Sequence, residues 1–350
     1  MRHYAILLAC IFFFRLACPC FGGEPKERMV LPHSDSVVCI AFTPDGKTLV
    51  SSDGESVRLW DVGSGKAKAA LPRGRSAATA VAFSPDGKLL ASANWDTTVR
   101  LWDTATGAEV ATLTGHTGPV RTVAISPDGS LLASGGASAK WGQAEVKLWD
   151  LRTRAELASL PGVADPVHGL AFSPDGKTVA LGDIEGRVFL WDVASKQVRR
   201  CLKGHTSVGS VVWSRDGKRL VSGGNDIRIW GPATGELLRT LPVGDNTDDC
   251  NGLAISKDGT LLASGSHRGN IRVWQTATGE ARLTLRRAPP NGKPTWKPIR
   301  ELKEPETNVY CVAFSPDDTL LAAGVGPTVR IWDIKALLAA NTGAGGKPSK

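Results

Sequence analysis

Seven tryptophans recur in phase along this chain of 350 residues: Trp60, Trp102, Trp149, Trp191, Trp230, Trp274 and Trp332. Each closes a short apolar run, and each run follows a turn at a similar offset. The turns are Thr43-Pro44-Asp45-Gly46, Ser84-Pro85-Asp86-Gly87, Ser126-Pro127-Asp128-Gly129 and Ser173-Pro174-Asp175-Gly176. Three later ones are altered, to Ser214-Arg215-Asp216-Gly217, Ser256-Lys257-Asp258-Gly259 and Ser315-Pro316-Asp317-Asp318. A repeat of roughly 40 residues is too small to bury its own apolar faces, so its copies must stack on one another.

Each unit reads as four short strands. In the third unit these are Val120 to Ile125, Leu131 to Ser134, Val146 to Trp149 and Glu156 to Leu160. In the turn between the first two, proline presets φ, the serine and aspartate side chains bond nearby backbone, and glycine takes the left-handed position. Four-stranded units stacked radially cover both faces of every sheet and leave only short edges. A TIM barrel would need helices between strands, and no 3.6-residue apolar period intervenes. The expectation is an all-β, seven-bladed β-propeller over residues 26–335.

These residues resemble the WD40-repeat family. Its closing Trp-Asp appears as Trp60-Asp61, Trp102-Asp103, Trp149-Asp150, Trp191-Asp192 and Trp332-Asp333, and degenerates to Trp230-Gly231 and Trp274-Gln275. Its opening Gly-His appears as Gly115-His116 and Gly204-His205, with His33 alone at the matching place in unit one. The resemblance implies a platform for proteins or peptides. It says little about role, because one fold hosts many functions.

The two ends of the repeat array look complementary. Met29-Val30-Leu31 resembles the fourth strand of a unit, whereas the seventh unit ends without the usual turn after Trp332. Residues 27–31 are therefore expected to complete the last blade, because an unlatched ring would expose two unpaired strand edges. Beyond it, residues 336–350 read as a flexible tail.

Residues 1–22 read as a signal peptide or hydrophobic leader: Arg2 and His3 precede an apolar run from Tyr4 to Phe14, with Ala17 and Cys18 near a plausible cut. The run is too short to span a bilayer. This predicts export to the periplasm, envelope or exterior, with only transient membrane contact; a cytoplasmic setting is the alternative. Of 7 cysteines, Cys39, Cys201, Cys250 and Cys311 lie beyond the leader, scattered and without a CxxC pair. They read as small hydrophobes in strands. Equivalent inner-strand positions such as Cys39 and Cys311 are too far apart for a disulfide.

A hydrogen-bonding set recurs. Unit five has His205, Ser222, Asp226 and Trp230; unit two has Ser92, Asp96 and Trp102; unit three has His116, Ser134 and Trp149. His, Ser and Asp together invite a catalytic reading. Their periodic placement beside a core tryptophan, with no nucleophile elbow, instead predicts internal satisfaction of buried polar groups. Metal, phosphate-loop and dinucleotide motifs are missing, so no enzyme and no cofactor is expected. An envelope hydrolase or lyase with a site in the central channel is the alternative.

Two insertions break the rhythm: Gly135 to Gln143 in unit three, and a basic, proline-containing stretch at 286–307 between units six and seven. Strand parity puts both on the face carrying the blade-to-blade loops, where departures from a minimal repeat mark binding surfaces. Candidate partner contacts there are Trp141 and Trp296, with Lys293, Lys297 and Arg300 beside the latter. The competing reading folds each tryptophan back onto the propeller. Trp95, in a turn of normal length, is a further surface candidate.

The formal charge of +8 is compatible with an acidic partner. Much of the basic content recurs two residues before the tryptophans, as in Arg58, Arg100, Lys147, Arg228, Arg272 and Arg330. That periodicity follows from the fold and is weak evidence for nucleic acid, which favours a continuous basic patch with stacking aromatics, so binding of an anionic polymer or nucleic acid is a lower alternative. A monomeric propeller binding a protein or peptide is expected.

Overall fold

A computed structural model describes residues 27–71, 78–139, 142–243, 248–285 and 308–342. They form seven four-stranded antiparallel sheets. Blade one, for example, is Cys39–Phe42, Thr48–Ser52, Val57–Asp61 and Ala67–Ala70, taken from the channel outward. The inner strands of successive blades pack on one another, and that of blade seven packs on that of blade one, so the ring closes.

The closing strand is the expected one. Met29–Pro32 pairs antiparallel with Thr328–Asp333, in the register Met29 to Ile331 and Leu31 to Val329. Leu31 is 1% exposed within the apolar seam between blades seven and one. Burying a leucine side chain of this kind contributes about 2 kcal/mol. The Arg28 amide bonds the Ile331 carbonyl at 2.8 Å, and Glu27 pairs with Arg330.

Each tryptophan packs against the preceding blade. Trp102 lies in one cluster with Val50, Leu59 and Leu71, and Trp191 in another with Val146 and Leu148. Trp332 joins Ile271, Val273 and Leu283 in the same way. The repeating ring is thus the mortar between blades, which is why its period fixes the architecture.

The opening turns show their chemistry directly. The Ser84 hydroxyl donates to Asp86 Oδ1 at 2.6 Å and accepts from the Leu89 amide at 2.9 Å. Gly87 has φ +71°, which favours glycine. The Ser84 hydroxyl, and then the Lys88 amide at 3.1 Å, hold the Asp86 carboxyl below the usual carboxylate range. In blade seven, Asp318 occupies the glycine position at φ +57°, and its carboxylate accepts the amides of Lys257 and Asp258 in blade six, at 2.7 and 3.1 Å.

One boundary differs from expectation. The tail predicted from residue 336 begins instead as a helix, Ile334–Thr342. The Asp333 carboxylate accepts the Ala336 amide at 2.9 Å, an N-cap bond. Ile334 and Leu337, three apart on one face, are buried against Leu283 and Leu285 in the outer strand of blade six. The absence of a turn after Trp332 hid a helix that covers a blade edge. The leader, the 286–307 insertion and residues 343–350 lie outside the described residues.

Candidate protein-binding face

The recurring polar set is a buried hydrogen-bond chain. In blade five the Trp230 indole donates to Ser222 Oγ at 2.8 Å, and Ser222 Oγ lies 2.7 Å from His205 Nε2. With Ser222 Oγ accepting from the indole, its own hydrogen is free for Nε2, which leaves the imidazole proton on Nδ1. Nδ1 is 2.8 Å from Asp226 Oδ1, but too poorly aligned for a hydrogen bond, so the contact is chiefly electrostatic. Blade three repeats the pattern: Trp149 donates to Ser134 at 2.8 Å, and His116 Nε2 sits 2.7 Å from that hydroxyl. Glu145, 3.6 Å from His116 Nδ1, stands where blade five has aspartate. Burial is the main cause holding both imidazoles down at about 4, so they are neutral at pH 7.

Blade one carries the fullest set. Trp60 donates to Ser51 at 2.7 Å, His33 Nε2 lies 2.8 Å from Ser51 Oγ, and Nδ1 lies 3.4 Å from Asp53. His33 lacks the preceding glycine of the family signature, which is why the sequence pointed to it only as a lone histidine. In blade two, Trp102 donates to Ser92 at 2.9 Å, but Asp96 turns away to Thr98 Oγ1 and Arg100. Asp96 therefore stabilises its own turn and does not extend the chain. In blade four Leu181 replaces the serine and is fully buried, leaving Trp191 Nε1 without a partner among the described residues.

Ser222 is not placed to act as a nucleophile. Ser222 is fully buried, and its hydroxyl is held between an indole and an imidazole. A substrate has no approach to its Oγ.

The candidate contacts Trp141, Trp296, Lys293, Lys297 and Arg300 lie outside the described residues. A different set is visible on the face they were assigned to. Each inner strand is entered through a buried residue, such as Val120 or Val167, and the next position stands at the channel mouth. Round the ring these are Val38, Thr79, Arg121, His168, Gly209, Asn251 and Tyr310. At Thr79, Arg121, His168 and Asn251 the strand register shifts, so a bulge takes the residue out of the ladder.

Two polar-aromatic groups result. On one side the Arg121 guanidinium lies over the Trp95 ring, 5.2 Å from its centroid, and Trp95 is 48% exposed. His168 stands near Arg121; burial first, and then that positive charge, brings its imidazole down to about 4. On the other side Tyr310 meets His267 edge to face at 6.1 Å, and Asn308 donates to the Tyr310 hydroxyl at 2.6 Å. Arg121 Nε and Asn251 Nδ2 are buried donors without a partner among the described residues. Such a donor costs about 1–3 kcal/mol unless a ligand or solvent group satisfies it.

This ring was not among the contacts expected from the sequence. Its signal was nevertheless there: when the seven units are phased, this position changes chemical kind from blade to blade, while its neighbours stay small or apolar. A position freed from the common structural role can be specialised for contact.

Comparison with known proteins agrees with the geometry. Residues 36–223 match the family profile described as IFT122 first beta-propeller, and residues 235–275 and 296–333 match WD40: WD domain, G-beta repeat. The chain belongs to the WD40-repeat β-propeller family. It is 37% identical over 97 residues to Autophagy-related protein 16 of Arabidopsis thaliana, covering 27% of this chain and 18% of that protein. It is 33% identical over 163 residues to WD repeat and SOCS box-containing protein 1 of Danio rerio, covering 44% and 32%. Against WD repeat-containing protein 1 of Mus musculus it is 29% identical over 155 residues, covering 43% and 22%. The matches thus span less than a third of each relative's own length. Proteins built on WD40 propellers generally serve as non-catalytic binding platforms, and the buried His-Ser chains here serve the fold.

Proposed function

We propose that this WD40 propeller is a non-catalytic scaffold that binds a protein or peptide across the channel mouth, on the face carrying the blade-to-blade loops. The observation that carries the reading is the pair of unsatisfied donors, Arg121 Nε and Asn251 Nδ2, set beside exposed Trp95 and the Tyr310–His267 pair. Aromatic and arginine anchors around partly desolvated polar groups are the usual make-up of an energetic centre in an interface. Trp141 and the basic cluster around Trp296 would extend the same face.

The apolar character of residues 1–22 supports an exported setting for this binding. Affinity capture from the native host, with compartments kept separate, tests partner and location together. A captured partner should be lost from Arg121→Ala and Trp95→Ala proteins that remain folded. Retention by both variants sinks the channel-mouth reading. Retention after removal of residues 287–306 would confine the contact to the propeller itself.

A further inference from the structure

The opposite face, built from the opening turns, is nearly sealed by a repeating contact. From Pro316 of blade seven round to Pro174 of blade four, each turn proline sits against the turn glycine of the next blade. Proline Cδ lies 3.2–3.9 Å from where a Cβ on that glycine would stand. Between blades six and seven the seal takes another form, the Asp318 carboxylate on the amides of Lys257 and Asp258. Only the seam between blades five and six lacks either device among the described residues. There Arg215 replaces the proline, and nothing lies within 4 Å of the corresponding position at Gly259.

Two clefts flank the Arg215 turn, the smaller of them at this break. One, of about 590 Å³, runs between blades four and five, with Leu190 and Trp213 among its lining residues together with Arg199, Arg200 and Arg215. The second, of about 330 Å³, runs between blades five and six and is lined by Arg215, Arg219 and Lys257. Arg215 belongs to both. It is exposed and makes no ion pair among the described residues. Arg199 is already paired with Asp192 at 2.5 Å, which leaves Arg200, Arg215, Arg219 and Lys257 beside three lining carboxylates, Asp175, Asp216 and Asp258, each bonded to its own turn serine at 2.6 Å. A cleft of about 540 Å³ between blades two and three has the reverse balance, Lys88 and Arg152 against Asp86, Asp103 and Asp128. The basic excess is therefore local, not a property of every seam.

The larger cleft is also preorganised. The Trp213 indole donates to the Ala171 carbonyl of blade four at 3.2 Å, which fixes the ring across the seam. Arg200 donates to the Ala233 carbonyl at 3.2 Å, and its stem lies over Gly235, where a Cβ would come within 2.7 Å of it.

We propose that these joined clefts, with Arg215 between them, bind an extended acidic peptide segment of a partner protein, its carboxylates on Arg215, Arg219 and Lys257 and one apolar side chain against Trp213. Guanidinium groups pair with carboxylates bidentately, and a fixed aromatic surface anchors an apolar neighbour. The volume suits a short segment. Phosphate groups fit less well, because Asp175 and Asp216 stand beside the arginines and repel a dianion more strongly than a carboxylate. This second surface rests on the scaffold reading but lies on the other face from the channel-mouth site.

The test is fluorescence anisotropy with a labelled short peptide of glutamates interspersed with leucine, and its glutamine counterpart as control. The acidic peptide should bind saturably, and binding should weaken as salt rises. Arg215→Glu should weaken it about tenfold or more. Arg215→Pro restores the residue that five of the other six turns carry, so that variant should fold, keep its melting temperature and still lose affinity. Arg121→Ala, on the far face, should leave the affinity unchanged. Binding that ignores Arg215, equal binding of the glutamine peptide, no saturable binding, or equal competition by inorganic phosphate or an oligonucleotide would each overturn the proposal. Loss of partner capture by Arg121→Ala with this peptide still bound would separate the two faces.

Discussion

Ser222→Ala removes one oxygen from the middle of the blade-five chain, and its cost can be worked from the neighbours. Trp230 and His205 are both buried, at 4% and 7% exposure. The indole loses its acceptor at 2.8 Å, and His205 Nε2 loses its partner at 2.7 Å. An orphaned buried polar group costs about 1–3 kcal/mol, so two sharing one site should cost about 2–4 kcal/mol in all. Blade four gives a reference within the same molecule. There Trp191 Nε1 is already without a partner among the described residues, but Leu181 fills the serine site and is fully buried, so apolar packing offsets the lost bond. Alanine at position 222 offers no such packing. We expect the urea midpoint, followed by tryptophan fluorescence and circular dichroism, to fall accordingly, with little change in slope. Trp230→Phe in the Ser222→Ala background should cost less than it does alone, because one orphan has gone. A loss below about 0.5 kcal/mol for Ser222→Ala, or strict additivity of the pair, would refute the claim that these bonds hold the blade.

Other perturbations follow from the same geometry. His116, His168 and His205 are each lowered to about 4 in the folded chain, with burial the largest cause. The unfolded chain therefore binds more protons between about pH 6.5 and 4, so the stability from their neutral forms is complete above about 6.5 and is lost as pH falls through that window. Denaturant midpoints at pH 7.5 and 5 should differ in that sense, and a flat profile would contradict it. Leu31→Ala should cost about 2–5 kcal/mol, and removal of residues 27–33 should produce aggregation visible by light scattering, since it bares the edge of Thr328–Asp333. Gly186→Ala should be strongly destabilising by thermal melt, because at φ +77° its Cβ would fall 1.9 Å from the His205 carbonyl oxygen. An unchanged melting temperature there would mean the turn can move.

Much of the molecule is legible in the amino-acid order. The tryptophan period fixed the number of blades because each ring fills one seam, and seven seams make a closed ring. The turn sequence was readable because serine, proline, aspartate and glycine each meet a local backbone demand. Even the closing strand was inferable, since its pattern matched the missing outer strand of the last unit. The helix at Ile334–Thr342 was not, because its short apolar spacing has meaning only beside Leu283 and Leu285. His33 escaped notice as a full member of the polar chain, because Asp53 reaches it across a fold that the linear spacing does not display.

What the amino-acid order determined alone was whatever depends on near neighbours and on period: strands, turns, the number of blades and the family. The tertiary structure decided which residues from different blades converge. Arg121 meets Trp95 only because adjacent blades bring a bulge and a turn together, and Arg215 opens a seam only because the proline ring closes elsewhere. Those encounters join residues tens of positions apart, and no local preference encodes them. They arise when ring closure fixes the distance between blades.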